Sequence, residues 1–223
     1  MNHLAKRSLA VTALALAACT GSLFQTKASP PTIYMLSAGG ESPAATGAAP
    51  GRPAPGPPAA AMPVDLAILK PTLRAGLETD RIAALYPDRR LDYFADARWS
   101  GSLGEVLQDL TVQEFHSRAN LRTVSGDSSV FASAYWLEIE VTDFQAEYTA
   151  ALTAPVVHVH LLARLGSSGD RHILGQFIAD AQQPAGENRL TSIVDAYARA
   201  ADAAVAQIVA GAGETLAKIS ETR

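Results

Sequence analysis

Apolar and polar positions alternate most regularly over residues 135–148. Leu137, Ile139 and Val141 fall on one side, Glu138, Glu140 and Thr142 on the other, the two-residue period of a half-buried strand. At Asp143-Phe144 the parity reverses, and Phe144, Ala146 and Tyr148 become the apolar set. A bulge there restores a single buried face, because one inserted residue flips every side chain after it. Val157, Val159, Leu161, Ala163 and Leu165 predict the next strand, residues 166–170 a Gly/Ser/Asp turn, and residues 172–179 a third strand. Together these read as an antiparallel meander.

Upstream, residues 64–69 and 81–86 are short apolar runs bounded by Pro63, Pro71 and Pro87, which predicts two more strands. Residues 91–99 are a further extended segment. Ser102-Leu103-Gly104-Glu105 has the form of a capping box, and Leu103, Val106, Leu107 and Leu110 then trace one helical face that ends over residues 115–118. Leu190, Ile193, Val194, Tyr197, Ala201, Ala204, Val205 and Ile208 recur at helical spacing. They predict a long amphipathic helix from Asn188, a candidate cap, to about Lys218. The order strands, helix, strands, helix predicts an α+β domain, an antiparallel-rich sheet packed against a medium helix and a long C-terminal helix. Residues 64–220 suffice for one core burying about 70% of the unfolded chain's surface.

The N-terminus changes the picture. Lys6 and Arg7 precede an apolar run over residues 9–18, half the ~20 residues a membrane-spanning helix needs and typical of a signal peptide. The run ends in Leu16-Ala17-Ala18-Cys19, a full match to the bacterial lipobox, at which the thiol receives a diacylglycerol and the chain is cut just before it. Cys19 is therefore the predicted lipid attachment site, and residues 1–18 the signal peptide. It is the one cysteine of the chain, so no intrachain disulfide forms. Two or more acyl chains hold a protein to a membrane without a transmembrane helix. Thr20 stands where some bacteria place an inner-membrane retention Asp, which favours the outer membrane.

Charge narrows the function further. The chain carries 18 basic and 22 acidic side chains, and loss of residues 1–18 leaves 16 against 22, a balance of −6. Nucleic-acid binding spread over the whole surface is excluded, because it needs Lys and Arg to displace counterions. Nine of the 13 prolines lie between Pro30 and Pro63, and from Ala28 to Val64 only Glu41 and Arg52 are charged. Such a stretch buries too little to offset its ordering entropy. Residues 19–63 are thus a lipidated tether and Pro/Ala-rich linker, of which 20–31 reaches about 35 Å if extended. The apolar run Ile33-Tyr34-Met35-Leu36 interrupts it with strand character. Residues 64–220 are the main domain, with residues 32–36 available to pair into it.

Few residues suggest chemistry. His158 and His160, two apart on one strand face, have the spacing of a Zn or Cu site, completed by His172, Glu138 or Glu140. They equally suit the polar face of a half-exposed strand, which the alternation favours. Gly126-Asp127-Ser128-Ser129 lacks the elbow and partner histidine of a serine hydrolase and reads as a polar turn. Glu138 and Glu140 form a carboxylate pair of the kind solvated strands often carry. No phosphate-binding G-x-x-x-x-G-K-[ST] occurs, so ATP hydrolysis would belong to a partner. The sequence assigns no catalytic residue, metal ligand or cofactor.

The lipobox at Cys19, Pro30-Pro31-Thr32-Ile33-Tyr34-Met35-Leu36, the run from Leu91-Asp92-Tyr93-Phe94 to Trp99, and Leu137-Glu138-Ile139-Glu140-Val141-Thr142-Asp143-Phe144 together resemble the ABC-type transport auxiliary lipoprotein family. This family includes the lipoprotein component of paraquat-inducible, MCE-type intermembrane transport systems. The resemblance spans roughly residues 30–215. It implies a periplasmic α+β domain, lipid-anchored, that assists an ABC permease and ATPase and an MCE-domain protein in moving lipids or other hydrophobic molecules. It carries over no catalytic residue, only Cys19 as anchor. The Pro/Ala segment, residues 37–63, is longer than the family pattern. Two other readings are a scaffold or regulatory lipoprotein of envelope assembly, and a metal-dependent envelope enzyme using His158 and His160. For docking, the sequence points to the edge strands and to the helix from Ser102 to Phe115.

Overall fold

One 13-residue strand organises the sheet. In the computed structural model, which describes residues 30–39, 62–126, 132–151 and 153–221, this strand, β7 (Tyr135–Glu147), pairs antiparallel with β8 (Val156–Ser167) along one edge, and β8 pairs antiparallel with β9 (Ile173–Pro184). The meander read from the alternation is therefore present. The parity reversal has the expected cause: Val141 faces Leu161 and Asp143 faces His160, leaving Thr142 unmatched. Leu137, Ile139 and Val141 before this bulge, and Phe144 and Ala146 after it, are all buried on one face. β9 continues to Pro184, past the residue 179 at which its apolar pattern stops, because Gln182 and Gln183 still pair with His158 and Val157.

The other edge of β7 is shared by three short parallel strands in succession. β2 (Met62–Ile68) pairs with it at Tyr135–Leu137, β3 (Thr72–Leu73) at Glu140 and Val141, and β4 (Arg81–Leu85) at Ala146 and Glu147. β6 (Leu121–Ser125) extends the sheet beyond β2 in parallel, and β5 (Leu91–Trp99) extends it beyond β4 as an antiparallel hairpin. β1 (Thr32–Tyr34) adds a parallel strand to β5, so the isolated apolar run Ile33-Tyr34-Met35-Leu36 has its place here, with Leu36 buried. The sheet is thus mixed, its two longest ladders antiparallel.

Both helices pack on the face that buries Leu137, Val157 and Leu161. α1 (Leu103–Arg118) starts where the capping box places it: the Ser102 N–H donates to Glu105 Oε2 at 3.2 Å, and the Leu103 N–H to the Thr79 carbonyl. α2 (Leu190–Glu221) lies over β8 and β9 and presents Ala196, Ala200, Ala201 and Ala204 to them. These short side chains let a helix backbone come close to a sheet. Gly211 takes this furthest, since a Cβ there would lie 2.6 Å from Phe177 Cδ1 of β9. The cap expected at Asn188 falls one residue early: the Ile193 N–H donates to the Arg189 carbonyl, and the Asn188 side-chain oxygen accepts from the Tyr148 hydroxyl at 2.8 Å. Trp99, Phe144 and Tyr197 form an aromatic cluster where β5, β7 and α2 meet, with ring centroids 5.2–6.1 Å apart. Burial pushes the Tyr197 phenol well above its ordinary pKa, and its hydroxyl donates to the Ala83 carbonyl.

The described residues from Pro31 onward belong to one compact unit. Cys19, the signal peptide, most of the Pro/Ala linker and Asp127-Ser128-Ser129 lie outside the described residues. Among the described residues no helix is long and apolar enough to cross a membrane.

Candidate functional site: the helix-free face of the sheet

Strand alternation sends the partners of the core residues to the opposite face, which neither helix covers. β7 contributes Trp136, Glu138, Glu140 and Glu147, β8 contributes His158, His160, Leu162 and Arg164, and β9 contributes Ile178 and Asp180. Every candidate that the sequence marks on β7 and β8 lies here.

His158 sits between two carboxylates: its Nδ1 is 3.1 Å from Glu147 Oε1 and its Nε2 3.2 Å from Asp180 Oδ2. Burial of the ring opposes its charge, but the hydrogen bonds to Asp180 and Glu147, with their negative charge, outweigh burial and hold the imidazole above its ordinary pKa. The triad links β7, β8 and β9 side by side. His160, whose ring centroid is 6.5 Å away, has its Nδ1 2.6 Å from Oγ1 of Thr142, the bulge residue. Glu138 and Glu140 both turn to Arg164, at 3.2 and 3.6 Å. His172 belongs to the β8–β9 turn, beside the far end of β8.

These positions argue against a shared metal. The register opposes Gln145 to His158, and Arg164 to Glu138, so the two glutamates lie a full run of strand away from the first histidine. Both ring nitrogens of His158 are already occupied by carboxylates. Among the described residues no group of three or more His, Cys, Asp or Glu is placed to hold a metal ion. What the arrangement supplies is a hydrogen-bonded, charge-paired surface with one apolar step in it. Leu162 faces Ile178 across β8 and β9, and Ile178 is 66% exposed. Paired charges around a small apolar centre suit protein contact better than covalent chemistry.

Among the described residues four strands have a partner on one side only: β1, the two-residue β3, β6 and β9. Of the features proposed for docking, these edges are open, whereas Leu103, Val106, Leu107, Leu110 and Phe115 of α1 are buried. The apolar face of that helix is therefore core, and only its polar side meets solvent.

Sequence reasoning misses a second feature. Where β4 ends, Arg74 and Arg89 border a recess walled by leucines and tyrosines. No motif marks it, because its residues come from three separate segments. The one local signal is the turn Pro87-Asp88-Arg89-Arg90, which has no glycine.

A comparison with curated proteins gives no match. Among solved structures, a protein from Xanthomonas campestris is 20% identical, with a TM-score of 0.69 over 85% of this chain and 99% of that one. An uncharacterised protein is 13% identical, with a TM-score of 0.54 over 87% of this chain and 99% of that one. At such identities the likeness is one of fold, and it shows that the mixed sheet with two helices on one face recurs in crystals. The family described as the ABC-type transport auxiliary lipoprotein component matches residues 48–209. That match takes in the whole of β2 to β9, α1 and most of α2, and the chain accordingly belongs to the ABC-type transport auxiliary lipoprotein family.

Proposed function

We propose that this protein is the lipid-anchored, periplasmic auxiliary component of an ABC/MCE-type system that moves lipids or other hydrophobic molecules across the cell envelope. In this reading residues 1–18 are a signal peptide, Cys19 carries the acyl chains, residues 19–63 are the tether, and residues 64–220 are the working domain. The partners are an MCE-domain protein with its permease and ATPase, and the membrane is the outer one. The observation that carries the reading is the family match over residues 48–209 joined to a complete lipobox at Cys19. The open face of the sheet supports it, because an auxiliary protein needs a contact surface rather than a nucleophile.

The test is capture from native membranes after mild crosslinking, with Cys19→Ala as the control. The expected result is an MCE-domain protein together with a permease and an ATPase, and loss of the anchor in the control. Recovery of wall synthases or outer-membrane assembly factors in their place would establish the scaffold reading.

A further inference from the structure

The β4–β5 turn carries an arginine where the backbone favours glycine. Arg89 has a φ of 66°, in the left-handed region that side chains occupy at a cost. Its N–H donates to the Tyr86 carbonyl at 2.8 Å, and the Tyr86 N–H to the Arg90 carbonyl at 3.0 Å. Glycine would supply the same backbone groups without strain, so the turn itself gives no reason for a guanidinium here.

The side chain borders a recess of two lobes. One, of about 210 Å³, is walled by Leu77, Leu85 and Leu91. The other, of about 430 Å³, lies against Tyr86 and Tyr148. Arg74 and Arg89 border both lobes. Arg74 pairs with Asp143 at 3.4 Å while its side chain stays 68% exposed. Among the described residues the Arg89 guanidinium has no hydrogen-bond or ion-pair partner. Glu147 also borders the larger lobe, but its carboxylate is held by His158 and by Gln145 Nε2 at 3.0 Å. The aromatic wall is fixed in place: Tyr86 and Tyr148 stack at 5.2 Å with 6° between their planes, and Arg90 Cζ lies 4.6 Å from the Tyr86 centroid.

We propose that this recess binds a headgroup of net negative charge, a phosphate monoester or carboxylate with no cation of its own, that carries an apolar group. The oxyanion sits between Arg74 and Arg89, whose guanidinium forks match its geometry. The carbons next to it lie against Leu77, Leu85 and Leu91. The two lobes are at the small end of ligand cavities. They take a headgroup and its first carbons while any long tails stay elsewhere. The site therefore reads the head of an amphiphile and does not enclose the whole molecule. The proposal deepens the transport reading and rests on it for the source of the ligand alone.

Calorimetric titration of the full chain in a neutral detergent tests it, with dihexanoyl phosphatidic acid as probe. The expected result is binding at least tenfold tighter than that of dihexanoyl phosphatidylcholine or of inorganic phosphate. Arg89→Gly weakens it tenfold or more while the melting temperature holds or rises, since glycine suits the turn; Arg74→Gln, on a different segment, weakens it likewise. Wild-type affinity in Arg89→Gly overturns the proposal, and so does equal affinity for the choline lipid. Inorganic phosphate binding as tightly as the lipid would overturn the apolar half and with it the assignment. Transporter capture is a separate readout, so its failure leaves the outcome of the titration standing.

Discussion

Trp136 and Gly166 are direct cross-strand partners on β7 and β8, and the missing side chain at Gly166 makes room for the indole, whose ring a Cβ at that position would overlap. A bulky aromatic covering a glycine across the strand is one way a sheet fixes its register. Gly166→Ala is expected to lower stability by about 2 kcal/mol, the scale of an overpacked site. Denaturant unfolding measures this. In the Trp136→Ala background the same substitution should cost almost nothing, and an undiminished cost there would show that the backbone, not the indole, needs the glycine.

Two glycines of α2 should respond in opposite ways. Ala is the better helix former by about 1 kcal/mol, and a methyl group at Gly213 would meet nothing within 4 Å, so Gly213→Ala should stabilise by roughly 0.5–1 kcal/mol. Gly211→Ala brings the same propensity but drives its methyl into Phe177, and a net loss of about 1 kcal/mol or more is expected. Parallel thermal melts of the two variants decide it, and equal gains would remove the close α2–β9 approach.

His158 links stability to pH. Its pKa is raised in the folded protein by Asp180 and Glu147, against the opposing effect of burial. The folded state therefore holds the proton more tightly than the unfolded chain, whose histidine titrates near 6.5. The triad's contribution is fully present below that pH and is lost as pH rises through the folded value. The stability difference between the wild type and His158→Gln should be largest near pH 5.5 and shrink toward pH 8. A difference that is constant over this range would assign the cost of the variant to packing alone.

Glu114 is 1% exposed on α1, and one of its oxygens has no hydrogen-bond partner. Arg118 bonds the other oxygen and reaches Asp202 of α2 at 3.6 Å. Arg118→Ala strands a buried carboxylate and should cost about 2 kcal/mol or more. Glu114→Leu fills the site without a charge, so adding it to Arg118→Ala should recover most of the loss. Chemical denaturation of the single and double variants checks this, and additive losses would refute it.

How much of the fold is legible follows from which residues carry period. The reversal between Val141 and Phe144 can be read because apolar side chains flank it on both sides, and only the identity of the extra residue, Thr142, needs the structure. β3 has two residues and β6 one well-buried side chain, Val124, too few to show any alternation. The parallel pairing of β2, β3 and β4 with β7 is set by which edge is free when the layers close, and no local pattern records it. The same holds for the recess, where Arg74 and Arg89 meet only because β3 and the β4–β5 turn end beside each other. His158 and His160 stand out by their spacing, but their separation into a carboxylate-bound ring and a Thr142-bound ring follows from the bulge that lies opposite the His160–Leu161 step.

The sharing of one edge of β7 among β2, β3 and β4 has a consequence for assembly. All three strands precede β7 in the chain, and each makes only a short ladder with it. A chain delivered N-terminus first thus presents several strand segments before the template that aligns them exists. Apart from the β4–β5 hairpin and whatever β1 adds to it, nothing local can hold them, and such long-range closure is slow and leaves apolar edges open meanwhile. A fragment ending before Tyr135 has one hairpin and a helix but no spine, so the domain is made or lost as a unit when that one strand arrives.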